Sequence, residues 1–116
     1  MKKIDNITED ASQLLHLNSE DGGAIDITLK FLSAIQRWSI DIESPSINVS
    51  NIILANHPNL LWSFSDVGSF GLACLSKDDV DPFQFDDFSS NRNELFILSE
   101  EEIISARNYI AAYPGL

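Results

Sequence analysis

Positive charge is what this sequence has least of. Seven Lys and Arg stand against eighteen Asp and Glu, a formal charge of −11 with a pI near 4.2. Phosphates would be repelled over the whole surface, so direct nucleic-acid binding is disfavoured, and anionic membrane surfaces are disfavoured for the same reason. The partners such a balance favours are basic proteins, including the basic faces of nucleic-acid enzymes. The competing explanation is a solubilising charge that carries no message.

Cysteine is nearly absent. Cys74 is the only one, which excludes an internal disulfide and fits a reducing compartment. Within Gly71-Leu72-Ala73-Cys74-Leu75 it reads as a small core residue, with no neighbouring histidine to activate it. Long apolar runs are also missing. Acids interrupt the segment after Met1-Lys2-Lys3 where a signal peptide would be apolar, and nothing approaches the roughly 18 apolar residues of a membrane helix. A cytoplasmic protein is expected.

Catalytic signatures are missing too. Gly22-Gly23 has neither the preceding strand nor the lysine of a phosphate-binding loop. Ser63, Ser65 and Ser69 lack the Gly-x-Ser-x-Gly frame. His16, with Glu20 four residues on, reads as a surface ion pair, and His57 before Pro58 as a solvated or capping residue. A calcium loop begun at Asp79 would need glycine sixth and glutamate twelfth; Gln84 and Ser90 stand there instead. No catalytic residue, metal ligand or cofactor is assigned.

What is present is an ordinary globular composition, 44% hydrophobic and 22% charged over 116 residues, which fits one domain spanning residues 1–116. Ile7, Ala11, Leu14 and Leu15 have helical spacing, predicting a first helix over residues 7–17. Gly22-Gly23 ends a polar turn. Ile25, Leu29, Phe31, Leu32, Ile35 and Trp38 form a broad stripe, predicting a central helix over residues 24–38 with Lys30 and Arg37 toward solvent. Residues 38–43 alternate, either as a short strand or a frayed helix end; a break near Ser39 is favoured, and Ser44-Pro45-Ser46 ends the element. Residues 48–56 are read as a short helix. Residues 60–75 alternate as a hairpin turning at 66–68, and residues 94–98 as a third strand. Ser99 followed by Glu100, Glu101 and Glu102 is a capping box opening a last helix, its buried face Ile103, Ala106, Ile110 and Tyr113. The fold class expected is α+β: N-terminal helices, a small antiparallel sheet of about three strands, and a C-terminal helix packed on it.

The stretch that asks for a functional reading lies at residues 78–102. It holds nine acids against one base, Arg92, and so carries −8 of the net charge. In its first part the acids Asp78, Asp79, Asp81, Asp86 and Asp87 are interleaved with Phe83, Phe85 and Phe88. Hydrophobic anchors within a negative field suit a surface rich in Lys and Arg, so these eight residues form the candidate partner-binding set. The alternative is that the three phenylalanines tuck under the loop while the acids face water.

In size, charge and this acidic-aromatic segment the chain resembles the immunity proteins of bacterial toxin–immunity systems, those of contact-dependent growth inhibition and of nuclease colicins. The resemblance implies a protein that binds a basic toxin domain, often a nuclease, and occludes its active site or substrate face. The acids would then mimic phosphate charge and speed encounter, while Phe83, Phe85 and Trp62 would slow dissociation. Two other classes stand beside it. One is a regulatory, adaptor or nucleic-acid-mimic protein that binds a basic cellular protein. The other is a small enzyme with a pocket joining His57, Cys74 and an acid.

Overall fold

Residues 24–43 form a β-hairpin, not a helix. In the computed structural model, which describes residues 2–18, 23–45, 47–57, 59–61, 70–99 and 101–105, β3 (Ala24–Leu32) pairs antiparallel with β4 (Arg37–Glu43) through a turn at residues 33–36. Ile25, Ile27 and Leu29 are buried, and Asp26, Thr28 and Lys30 point the other way. A helical stripe through Ile25, Leu29 and Leu32 would have put Ile27 on the opposite, solvent-facing side, about 200° away. A period of two buries all three isoleucines and leucines at once, and β-branched residues suit it. The turn needs one left-handed residue, and Gln36 supplies it at φ 52°.

The same correction applies on either side. The helix expected over residues 7–17 is β2 (Ser12–Asn18), in which Leu15 and Leu17 face the core while Leu14 is 57% exposed. The short helix expected at residues 48–56 is β5 (Asn48–Ile53). Trp38-Ser39-Ile40-Asp41-Ile42-Glu43 continues as strand through Ser39, with no break, and stops before Ser44-Pro45. Together β2, β3, β4 and β5 make a four-stranded antiparallel meander in sequence order. A bulge interrupts its last pairing: Ile40 faces Ile52 but Ile42 faces Val49. Asn51 takes a left-handed φ of 60° there, and its N–H donates to Asp41 Oδ1 at 2.8 Å. The extra residue twists that edge away.

The second sheet has the order β1-β7-β6, with β1 at Lys2–Lys3, β6 at Gly71–Ser76 and β7 at Asn93–Leu98. The third strand expected near residues 94–98 is thus present as β7. Of the expected hairpin over residues 60–75, the second arm is β6, while residues 62–69 lie outside the described residues. His57 and Leu60 lie antiparallel beside β6: His57 and Cys74 exchange backbone hydrogen bonds of 2.8 and 3.0 Å, and Leu60 N–H donates to Leu72 O. Asn59 Oδ1, buried, accepts the N–H groups of Leu61 and Leu72, and a Cβ on Gly71 would stand 2.8 Å from that oxygen. Glycine is required at 71 by this approach.

Both sheets feed one core. Ile25, Ile27, Leu29, Trp38, Ile40 and Ile42 of the first meet Leu72, Cys74, Leu95 and Ile97 of the second, with Ile4 closing one end. The architecture is therefore a two-sheet β-sandwich, which replaces the expected α+β arrangement. A helical turn, α1 (residues 101–105), lies against the outer face of the three-stranded sheet, where Ile103 joins Ala73 and Leu98 beside Leu75 and Phe96. Its capping box is formed: Glu102 N–H donates to Ser99 Oγ and Ser99 N–H to Glu102 Oε1. Ala106, Ile110 and Tyr113 lie outside the described residues.

Candidate functional site

The acidic-aromatic segment is the connection from β6 to β7, residues 77–92, closed at its base where Lys77 N–H donates to Arg92 O. One ion pair organises it. Asp87, 1% exposed, accepts from Phe83 N–H at 2.7 Å and Gln84 N–H at 2.8 Å on Oδ2, and from Arg92 Nε at 2.7 Å on Oδ1. Arg92 Nη2 also bonds Asp87 Oδ2, while Nη1 reaches Asp78 at 3.1 Å and the guanidinium lies 4.8 Å from the Phe83 ring centre. Planar geometry lets one arginine grip a carboxylate with two nitrogens, a second with the third, and still stack. Burial alone would push the Asp87 carboxyl up, but the hydrogen bonds from Arg92, Gln84 and Phe83 outweigh it and hold it below the ordinary carboxylate range. The same pairing pushes the Arg92 guanidinium up.

The loop is pinned to the four-stranded sheet at two further points. Trp38 Nε1–H donates to Gln84 O at 2.9 Å, and its ring packs edge-on against Phe88, 5.5 Å between centres, with Phe31 on its other side at 5.4 Å. Asp81 Oδ1 accepts Asn56 N–H at 2.8 Å, and its other oxygen lies 3.6 Å from Arg37 Nη1.

The eight candidate residues accordingly divide. Asp87 and Phe88 are buried, so both leave the binding set: one is the loop's internal acceptor, the other a core residue under Trp38. Asp78 and Asp81 are partly exposed but ion-paired. Asp79 and Asp86 make no side-chain ion pair among the described residues, and Asp79 sits on an exposed bend at φ 58°. Phe83 and Phe85 stand out at 38% and 53% exposure. With Phe31, Gln36, Gln84 and Asp86 they line an open concavity between the loop and the β3–β4 turn. Ile35, on that turn, is also exposed.

Sequence reasoning missed Trp38 and Arg92 as the parts that shape the site, and Phe31 and Gln36 as its far wall. A signal existed for Arg92. A lone base among nine acids must be claimed by some of them, and it stands five residues from Asp87. Trp38 gave none, because its partner Gln84 is remote in sequence. Trp62 lies outside the described residues.

The other candidate groups are structural. His57 and Cys74 are backbone partners, but the Cys74 side chain is fully buried, and burial, with the negative charge of Asp81, pushes its thiol up to about 12. A thiol protonated at neutral pH is no nucleophile. Burial lowers the His57 ring. His16, on a strand, has its Nδ1 2.6 Å from Asp26 Oδ1 across the strand pair, and Glu20, its expected partner, lies outside the described residues. Among the described residues no group of three or more His, Cys, Asp or Glu could hold a metal ion, and no helix is long and apolar enough to cross a membrane.

These carboxylates carry a pH consequence. The Asn51 N–H and Lys30 hold Asp41 below its ordinary value, as Arg92 and two N–H groups hold Asp87. A carboxyl depressed by folding contributes stability above its unfolded pKa of about 4, and that stability is lost as pH falls through the folded pKa. The urea midpoint is therefore expected to stay level from about pH 8 to about pH 5 and to fall below about pH 4, with proton uptake on unfolding. A midpoint that rises on acidification would contradict both assignments.

No protein-family model matches the chain, and no curated protein matches it either.

Proposed function

We propose that the protein is an immunity-type inhibitor, a cytoplasmic partner that binds a basic toxin domain, such as a nuclease, and occludes its active site or substrate face. The observation that carries this reading is the outward placement of Phe83 and Phe85 on a loop whose backbone is held by the Asp87–Arg92 pair and by Trp38. Burying one such ring is worth roughly 1.5–3 kcal/mol. This loop forgoes part of that gain at each ring while Asp87 and Arg92 fix the backbone that presents them. Aromatics held in place lose little entropy on binding and commonly dominate interface energies. Asp79 and Asp86 flank them, and Asp78 adds a half-neutralised charge, which suits Lys and Arg on the facing surface. A phosphate-mimic row is less well supported, since Asp78, Asp81 and Asp87 are engaged inside the protein.

The test is to identify the gene upstream and titrate the protein calorimetrically against the C-terminal domain of its product. Phe85→Ala is expected to weaken the complex about 30-fold or more, the effect of losing a hot-spot aromatic worth about 2 kcal/mol. Asp86→Lys is expected to slow association, with a penalty that shrinks in about 0.5 M salt. Both positions are exposed enough for the fold to survive. Binding indifferent to both substitutions would move the interface off this loop, and failure to bind any basic domain would end the immunity reading.

A further inference from the structure

β2 is an edge strand of unusual character. It ends the order β2-β3-β4-β5, so among the described residues no strand pairs on its outer side. The hydrogen bond from Phe31 N–H to Ala11 O fixes the parity of its pairing with β3. Opposed residues alternate between exchanging both hydrogen bonds and exchanging none. Ala11, Gln13, Leu15 and Leu17 therefore direct their backbone groups at β3, and Ser12, Leu14, His16 and Asn18 direct theirs outward. Those four side chains are also exposed, Leu14 at 57%. Natural edges are blunted with Lys, Pro, a bulge or an inward charge. β5, the opposite edge, has its bulge at Asn51. β2 has none of these devices: its register with β3 is unbroken over seven residues.

We infer that β2 pairs with β2 of a second copy of this chain, antiparallel, joining two four-stranded sheets into one continuous sheet. Charge selects the occupant. In a chain with eighteen acids, β2 reads Ser-Gln-Leu-Leu-His-Leu-Asn and holds no Asp, Glu, Lys or Arg. A strip meant for a basic segment would carry acids. A strip meant for its own copy, in a protein of charge −11, must exclude them, because like charges directly opposite are destabilising. The sequence is also self-complementary about Leu15. A two-fold axis there pairs all seven residues and sets every outward-directed backbone group against another, Leu14 against His16 and Ser12 against Asn18. On the core side it brings the half-buried Leu15 against its own copy and Leu17 against Gln13. This surface is separate from the β6–β7 loop, so the inference stands independently of the inhibitor reading.

Seven residues per strand make a small interface, and dissociation constants of about 1–100 µM are expected. The experiment is sedimentation equilibrium of the full chain at about 10 µM to 1 mM, in low and high salt. A monomer–dimer equilibrium that tightens as salt screens the net charge is the expected result, the reverse of a complex with a basic partner. Leu14→Lys should weaken it at least tenfold, because it replaces the apolar cross-strand contact on the exposed face of the joint with an edge-blunting cation on each strand. Leu14→Pro should do the same, because its missing N–H points outward and the ladder to β3 is kept. Circular dichroism checks that both fold, and Phe85→Ala should leave the dimer unchanged. A monomer throughout would overturn the inference. So would a dimer indifferent to both Leu14 variants, or an edge that pairs only with a strand from another protein.

Discussion

Replacing Asp87 with alanine will lower the unfolding free energy by about 3–5 kcal/mol, the range for removing one partner of a buried pair. Three losses coincide. Arg92 keeps its charge with its main acceptor gone, and the N–H groups of Phe83 and Gln84 lose theirs. Asn93 N–H, which donates to Asp87 O at 3.0 Å, keeps its bond, so the loop's exit into β7 should survive while its tip loosens. Asp87→Asn keeps the shape and one acceptor oxygen but not the charge, and should fall between wild type and alanine. Urea unfolding of Asp87→Ala, Arg92→Met and the double variant closes a cycle. The coupling energy should exceed about 1.5 kcal/mol, and additivity of the two single losses would mean that the pair does not act as a unit.

Trp38→Ala is the second large effect, about 3–5 kcal/mol, as for other buried aromatic truncations. Trp38 is fully buried between Phe31 and Phe88, so removing it opens a void between sheet and loop. Trp38→Phe separates two contributions. It keeps much of the packing but removes the donor to Gln84 O, and should cost about 1–3 kcal/mol, mostly for the unsatisfied carbonyl and the smaller ring. Both losses are read from chemical denaturation. Since Gln84 lies between Phe83 and Phe85, Trp38→Phe should also weaken the proposed binding to a basic partner while leaving the exposed rings unaltered in identity. A variant with unchanged stability would remove Trp38 as the loop's anchor.

The fold was poorly legible in the sequence because two periods were superimposed. Ile25, Leu29 and Leu32 satisfy a helix, and Ile25, Ile27 and Leu29 satisfy a strand. Ile27 discriminates between them, since only a strand buries it. The alternation of residues 38–43 is visible, but beside an expected helix it fits a frayed helix end as well as a short strand, and it gives no sign that the strand runs unbroken through Ser39. In β2 the adjacent pair Leu14-Leu15 disguised the alternation, because one of the two leucines lies outside the core. Where the signal was local it survived: β7 as a strand, and the reciprocal bonds of Ser99 and Glu102. The site was legible as composition but not as division of labour. Five acids and three phenylalanines marked the loop; which acids turn inward depends on Arg92 at the loop's own end and on Trp38 and Arg37 arriving from β4, and spacing along one segment carries no record of the latter two.

The pairing of β1 with β7 joins Lys2 to Ile97. The meander β2 to β5, by contrast, is closed by short connections between neighbours in sequence. Entropy orders these events. A contact that closes nearly the whole chain is slow to form and rewards nothing until the intervening pieces have settled. The meander can assemble from local contacts as the chain leaves the ribosome, whereas β1 must wait for β7 to be synthesised. Until then the inward side of the meander, with Ile25, Ile27, Leu29 and Ile40, has no second sheet over it. In the cell the hazard is therefore one of timing: the half-made protein presents its apolar face to solvent until β6 and β7 have followed the meander.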